Sequence, residues 1–363
     1  MNLVELHILQ SVPVSCLNRD DAGNPKSAVF GGANRARVSS QAWKRAIRLH
    51  ARRTCPELPF HGIRSRFLLE PFTKALEKHG ANNPAQSAEA IVNVFSKLQA
   101  KDKRKAGDTT TAVFLSPNEI DSIAAAVVGG EKPEKAAKRA QRNDAADIAL
   151  FGRMIANDAS LNVQAAALFA HALSTHAVDH ELDFYTAVEE QPRSSDGEFG
   201  TDPGAAMMGN LGFTSATYYR YVALNLDQLS ENLPRIDPDT LRSVIEAFIR
   251  STLMAIPGAR EATMNANTLP GFVLGLYRAA GSPVQLVNAF EKPVNTSAGV
   301  LRESAELLLQ ELQYLAQIWG VRPDISLQIT HRLKFKDETL IQPEQVRLDE
   351  FVSRLAAASF ATA

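Results

Sequence analysis

The sequence predicts an α+β fold in which one mixed core carries a helical excursion and a long hairpin. Three observations lead there. Leu3 to Val14 alternates, with Val4, Leu6 and Ile8 on one side, which is strand periodicity. From Pro56 to Asp147 the pattern turns helical. Strand character then returns in short pieces, the clearest being Phe213 to Asn225 with its run of Thr and Tyr.

Taken in order, the opening strand ends near Pro13 and suits a central place in a sheet. Asn18 to Lys26 is dense in turn formers, and Gly31-Gly32 permits a close backbone approach. Ser39-Ser40-Gln41, followed by Ala42, Trp43, Ala46, Ile47 and Leu49, reads as a helix start with Ser39 or Ser40 as N-cap. Helices are expected over Phe67 to Lys78, Ala85 to Ala100 and Ile120 to Val128. Asp147 to Met154 reads as a strand, and alanine-rich Val163 to Thr175 as a helix. Glu189 to Gly212, rich in Gly, Ser and acid, is too long for an ordinary connection and is expected to be a functional hairpin or unstructured. Asp239 to Ala255 and Gly299 to Trp319 read as helices, Gly271 to Leu276 as a strand, and Phe351 to Ala363 as a frayed helix.

Charge is distributed unevenly. Arg19 to Arg53 holds Arg19, Lys26, Arg35, Arg37, Lys44, Arg45, Arg48, Arg52 and Arg53 against Asp20 and Asp21, in a chain of net charge −1. An extended polyanion is the natural partner for charge gathered this way. Lys44 and Arg48 lie four apart and Arg45 and Arg52 flank them, making a cationic ridge on one helix. Two further knots occur, at Lys97 to Lys105 and at Lys132, Lys135, Lys138, Arg139 and Arg142, interleaved with acids as a solvated face would be. Cys16 and Cys55 are too few for a disulfide framework or a four-sulfur zinc site. MNLVELHILQSV lacks a basic leader and no apolar run reaches the roughly 18 residues of a membrane span, so a cytoplasmic protein is expected.

The catalytic patterns are weak. His171, His176, Asp179 and His180 lack the Glu of a helical zinc motif, and an S-x-x-K arrangement at Ser40 and Lys44 fails because Gln41 stands where the serine is needed. Asp20 and Asp21 adjoin the basic stretch and offer a metal-assisted phosphodiesterase reading, but no third carboxylate is fixed nearby by spacing. Cys16 reads as a small core residue. No Walker loop or dinucleotide fingerprint occurs. No metal and no cofactor is expected.

Several blocks carry a family resemblance: S-C-L-N-R-D-D, F-G-G-x-x-R-x-R-x-S-S-Q-x-x-K-R-A-x-R, D-I-A-L-x-G-R-M, A-H-A-x-x-T-H-x-V-D, D-x-x-T-A-V, Y-R-Y and N-A-F-E-K, spread from Ser15 to Lys292. In these the chain resembles the backbone subunit of the type I-E CRISPR surveillance complex, Cascade. The resemblance implies a right-hand shape: a palm on a modified RNA-recognition-motif (ferredoxin-like) sheet, helical fingers and a β-hairpin thumb. Palm segments would cover residues 1–55, 147–188 and 213–363, fingers 56–146 and thumb 189–212. The family's subunit is not a nuclease; it polymerises head to tail, as a hexamer, along one crRNA beside other Cascade subunits and presents the spacer to target DNA.

By motif match, Lys26, Ser39, Gln41, Lys44 and Arg48 would hold the RNA backbone, and Met154 would pack beside a distorted base. Phe184, Thr186 and Val188 would prop the kink at the thumb. Arg19, Arg35, Arg37 and Arg45, further cations of the basic stretch, join them. Lys132, Lys135, Lys138 and Arg142 are placed toward target DNA by charge and position. The alternative is a ribonuclease subunit of a related effector, using Asp20 or Asp21.

Overall fold

The computed structural model describes residues 1–98, 109–140, 144–155, 157–179, 181–188, 205–295, 299–335, 342–358 and 360. In chain order the first elements are β1 (Leu3–Ser15), β2 (Ser27–Phe30), β3 (Ala33–Val38), α1 (Ser40–Thr54), β4 (Ile63–Ser65), α2 (Leu69–Lys78) and α3 (Pro84–Phe95). Then come β5 (Val113–Leu115), α4 (Pro117–Val128), α5 (Pro133–Arg139), α6 (Ala146–Phe151), β6 (Ala167–Phe169), β7 (Ala172–Ser174), β8 (Glu181–Val188) and β9 (Ala205–Asn225). The last are α7 (Leu226–Asn232), α8 (Pro238–Met254), β10 (Phe272–Arg278), α9 (Val300–Ile318), β11 (Ile325–Thr330), β12 (Glu344–Gln345) and α10 (Leu348–Ala358).

One sheet runs β12-β11-β10-β1-β9-β7-β3-β2, with β6 and β8 also paired to β9. The opening strand is central, antiparallel to β9 on one side and β10 on the other. Both its faces are covered, as a central strand's must be. Val4, Leu6 and Ile8 face a core shared with α1, α8 and α10, whereas Leu9 faces one shared with α9. The α9 side also buries a polar network. Glu5 accepts hydrogen bonds from Tyr221 Oη at 2.6 Å, from the Val284 N–H at 2.9 Å and from Arg278 Nε at 2.7 Å. Beside it the Tyr219 hydroxyl accepts from the Leu286 N–H at 3.0 Å and shares a hydrogen bond with His7 Nδ1 at 2.9 Å.

The helical excursion has a core of its own, built from Phe72, Leu76, Ile91, Val92, Phe95 and Ile123 on α2, α3 and α4. Ser116 opens α4 with a capping box to Glu119, satisfying two of the N–H groups a helix start leaves free. Among the described residues no helix is long and apolar enough to cross a membrane.

The structure corrects four sequence expectations. Asp147 to Met154 is not a strand: Ala146–Phe151 is a helix, stopped by Gly152 at φ 77°. A six-residue segment that is apolar but for Asp147 carries no period of its own, and burial on several sides decided it. Val163 to Thr175 is not a helix but holds β6 and β7, because the edge of the long β9 recruits Leu168 and Leu173 as pairing partners. Tertiary pairing here outweighs alanine's helix propensity. The hairpin's first arm begins at Glu181, ahead of the 189 boundary, so Phe184, Thr186 and Val188 lie in the arm rather than before it. The expected thumb residues 189–204 lie outside the described residues. Lastly, the C-terminal helix is docked: Phe351, Val352, Leu355 and Ala356 of α10 are buried in the main core.

Candidate nucleic-acid interface

Helix α1 is built to present cations over a buried stripe. Trp43, Ile47 and Ala51, four apart, face the core, and the Ser39 hydroxyl caps the start by accepting the Ala42 N–H at 3.3 Å. Ser39 is itself buried, held by a hydrogen bond from its N–H to Asn18 Oδ1 at 2.9 Å. Gln41 and Arg45 are exposed, and Lys44 and Arg48 are half-buried. The Lys44 ammonium lies 5.3 Å above the Phe169 ring and the Arg48 guanidinium 5.0 Å from that of Phe114. Burial lowers the affinity of both groups for their proton. Arg48 Nε is buried with no partner among the described residues.

Beneath this helix Arg220 is 3% exposed and stacks 3.6 Å from the Trp43 ring, donating to Gln10 Oε1 at 2.7 Å. Burial lowers its pKa to about 9. It fixes the indole, and therefore the angle at which α1 leaves the sheet.

The strand before the helix continues the surface. Lys26 and Arg37 are neighbours across the β2–β3 ladder, the Arg37 N–H donating to Lys26 O at 2.9 Å. Arg37 Nε donates to Ser27 O at 3.1 Å. His171, exposed at the end of β6, links strand to helix: its Nδ1 lies 3.5 Å from Arg37 Nη1 and 3.4 Å from the Ser40 backbone nitrogen. The hairpin stands beside this loop. A Cβ at Gly212 on β9 would come within 2.8 Å of Pro25 Cδ, so the arm leaves the sheet directly against the turn that ends at Lys26. On the paired arm, β8, Leu182 and Phe184 are 66% and 63% exposed. Thr186 pairs with Met208 and Val188 with Ala205.

Met154 is 82% exposed, and its setting explains why. Gly152 turns with a positive φ where a Cβ would meet Ala165 at 3.0 Å. Arg153 then buries its guanidinium, donating to Leu161 O at 3.0 Å, Phe114 O at 3.1 Å and the Glu119 carboxylate at 2.8 Å. With its chain neighbours Arg153 and Ile155 both buried, Met154 projects outward. The preceding Phe151 ring lies 6.0 Å from Phe169, the ring beneath Lys44, so this projection and the cationic helix share an aromatic foundation.

Not every expected contact is available. Arg35 is 0% exposed and its guanidinium donates to Ser174 O at 3.0 Å, Phe290 O at 2.7 Å and Glu291 O at 3.2 Å. It is a buried clamp, because the β3 side chains alternate and Arg35 faces the Asn288-Ala-Phe-Glu segment while its neighbours do not. Gly31 belongs to the same joint, since a Cβ there would overlap the Glu291 carbonyl. Arg52 is likewise spent, donating to Phe60 O at 2.7 Å, to Gly62 O, and to Asp147 at 3.2 Å. The Asp147 carboxyl is buried, which pushes its pKa up despite the Gly62 N–H and Arg52.

Arg19 is exposed beside Pro25. Asp20 Oδ1 accepts the N–H groups of Ala22 at 3.0 Å and Asn24 at 2.8 Å, so this carboxylate organises a turn. Lys132 precedes α5 and Lys135 and Lys138 lie on it, all exposed, with Lys138 3.1 Å from Asp158. Arg142 lies outside the described residues. Among the described residues no three His, Cys, Asp or Glu side chains gather as metal ligands. His176 instead accepts the Thr217 N–H at 3.2 Å.

Sequence reasoning missed two contributors. Asn18 and Arg220 act through folded contacts with Ser39 and Trp43, and nothing in their local sequence announces a partner so far along the chain.

The fold is similar to solved structures. The chain superposes over 98% of its length on 100% of a chain described as "CRISPR RNA-guided surveillance complex, pre-nicking", with TM-score 0.81 and 29% identity. A chain from a structure described as "CRISPR RNA-guided surveillance complex" matches over 98% of this chain and 99% of that one, with TM-score 0.70 and 26% identity. No curated protein matches. Residues 4–354 match the family model described as "CT1975-like protein", and the chain belongs to that family.

Proposed function

We propose that this chain is the crRNA-binding backbone subunit of a type I-E CRISPR surveillance complex. Copies line up head to tail along one guide in the cytoplasm, beside the other subunits. Each grips the sugar-phosphate chain and leaves the bases free to pair with target DNA. The palm is then a modified RNA-recognition-motif sheet, and the chain binds its guide without cutting it.

The observation that carries this reading is the run of Lys26, Arg37, Gln41, Lys44 and Arg45 from the β2–β3 ladder into α1, joined through His171, with the hairpin that bears the exposed Phe184 leaving the sheet beside Pro25. Cations attract the phosphates whatever the sequence, and apolar side chains stack on any base. That combination holds a guide whose letters must stay readable. The matched structures are themselves RNA-guided surveillance complexes, at near-complete coverage of both chains. The turn-making role of Asp20 supports the non-cleaving reading.

The test is co-expression with a CRISPR array and the neighbouring subunits, followed by extraction of bound nucleic acid. An RNA of uniform length with repeat-derived ends is expected. A complex that emerges without RNA and ignores a supplied guide overturns the proposal. Regularly spaced magnesium-dependent cleavage of complementary RNA, abolished by Asp20→Ala or Asp21→Ala, overturns its non-cleaving part.

A further inference from the structure

The ring of His171 has two sides with different surroundings. Nδ1 faces the Ser40 N–H at 3.4 Å and the Arg37 guanidinium at 3.5 Å. Both are obligate donors, since neither a backbone N–H nor a guanidinium can accept. Nδ1 must therefore be bare and accept, which places the ring's one proton on Nε2. Nε2 lies on the far side of the ring, the residue is exposed, and no hydrogen bond to a described residue engages it.

Charge reinforces this tautomer. The groups acting on the ring are Arg37 on β3 and Lys26 at the approach to β2, both cations. Partial burial and those two charges hold the imidazole below its ordinary pKa, so it stays neutral near pH 7. The result is an outward N–H with a fixed direction, set between a strand cation and the start of α1.

We propose that His171 is a further RNA contact, donating from Nε2–H to a phosphate oxygen of the bound strand. It does so as a neutral donor among cations. This rests on the reading of β3 and α1 as the RNA cradle. A neutral donor differs from its neighbours in one measurable way: it adds a hydrogen bond but displaces no counterion. Its removal weakens binding by the same factor at every salt concentration, whereas removing a lysine also flattens the salt dependence.

The experiment measures anisotropy of a fluorescein-labelled single-stranded guide RNA titrated with the full chain across a salt series. His171→Ala, His171→Asn, His171→Gln and the double variant Lys44→Ala/Arg48→Ala are compared, with thermal melting as the check on folding. Asn keeps an acceptor where Nδ1 stands, and Gln keeps a donor where Nε2 stands. His171→Ala and His171→Asn are expected to lose roughly tenfold, the size of one hydrogen bond to a charged acceptor, with the salt slope unchanged. His171→Gln is expected to recover most of that loss.

Wild-type affinity in His171→Asn would make the residue a positioning group for Ser40 and Arg37 only, overturning the proposal. So would wild-type affinity in His171→Ala while the Lys44/Arg48 variant is weakened, which would leave the cradle standing. Failure of the unmodified chain to bind any guide would instead remove the cradle itself.

Discussion

Arg153 and Glu119 meet at 2.8 Å with side chains 1% and 0% exposed, a buried ion pair that ties the turn after α6 to the start of α4. Glu119 belongs to the helical excursion's capping box, and Arg153 precedes the exposed Met154. The pair therefore sets where Met154 stands. Breaking a buried pair strands the remaining charge and costs about 3–5 kcal/mol. Arg153→Ala is expected to lower stability by that amount in urea denaturation. Met154→Ala, at a position 82% exposed, should leave the midpoint unchanged and alter only RNA binding.

Two arginines of the same basic stretch should behave in opposite ways. Arg35 satisfies three carbonyl oxygens in the interior. Arg35→Ala leaves those acceptors unpaired, at about 1–3 kcal/mol for each buried group. Denaturation should report a large stability loss, with RNA affinity falling only in proportion to unfolded protein. Arg45, exposed on α1, should give the reverse result on substitution by alanine.

The double variant Lys44→Ala/Arg48→Ala tests the phosphate cradle through salt. For single strands the slope of log affinity against log salt is roughly −0.7 for each phosphate neutralised. Losing two contacts should flatten it by about 1.4. The helix should survive, because Trp43, Ile47 and Ala51 carry its packing. An unchanged slope in well-folded protein would count against the assignment.

The hairpin should matter to assembly and not to the fold. Phe184 is 63% exposed, so Phe184→Ser is expected to leave the melting temperature within a degree or two, about the scale of a neutral surface change. Mixed with guide RNA, the variant should form shorter assemblies by size-exclusion chromatography. Loss of soluble monomer would place the side chain in the core instead.

His7 gives the fold a specific acid sensitivity. Burial lowers its pKa from 6.5 to about 4, so between those values the unfolded chain binds a proton that the folded chain refuses. Its contribution to stability is complete above pH 6.5 and is lost as pH falls toward 4. The difference amounts to about 3 kcal/mol. Stability measured across that window should fall with acid, and His7→Gln should flatten this part of the curve. A profile as steep in the variant would assign the acid sensitivity to other groups.

Much of the site was legible before any fold was known. Local chemistry narrowed the helix cap to Ser39 or Ser40 and determined the amphipathic α1, the basic stretch and the long Phe213 to Asn225 strand, because each depends on residues a few positions apart. The helical excursion and the central opening strand followed from periodicity in the same way. Tertiary structure alone decided which cations remain free. Arg35 and Arg37 are indistinguishable as letters and, two apart on β3, share a face; what differs is what the fold lays over each, the Phe290 carbonyl on Arg35 and His171 beside Arg37. It also decided that an alanine-rich stretch pairs with β9, and that Gly212 seats the hairpin against Pro25. The physical reason is the same throughout: capping and amphipathicity are satisfied within a turn or two, whereas a buried guanidinium or an open strand edge takes its partner from wherever the fold brings one.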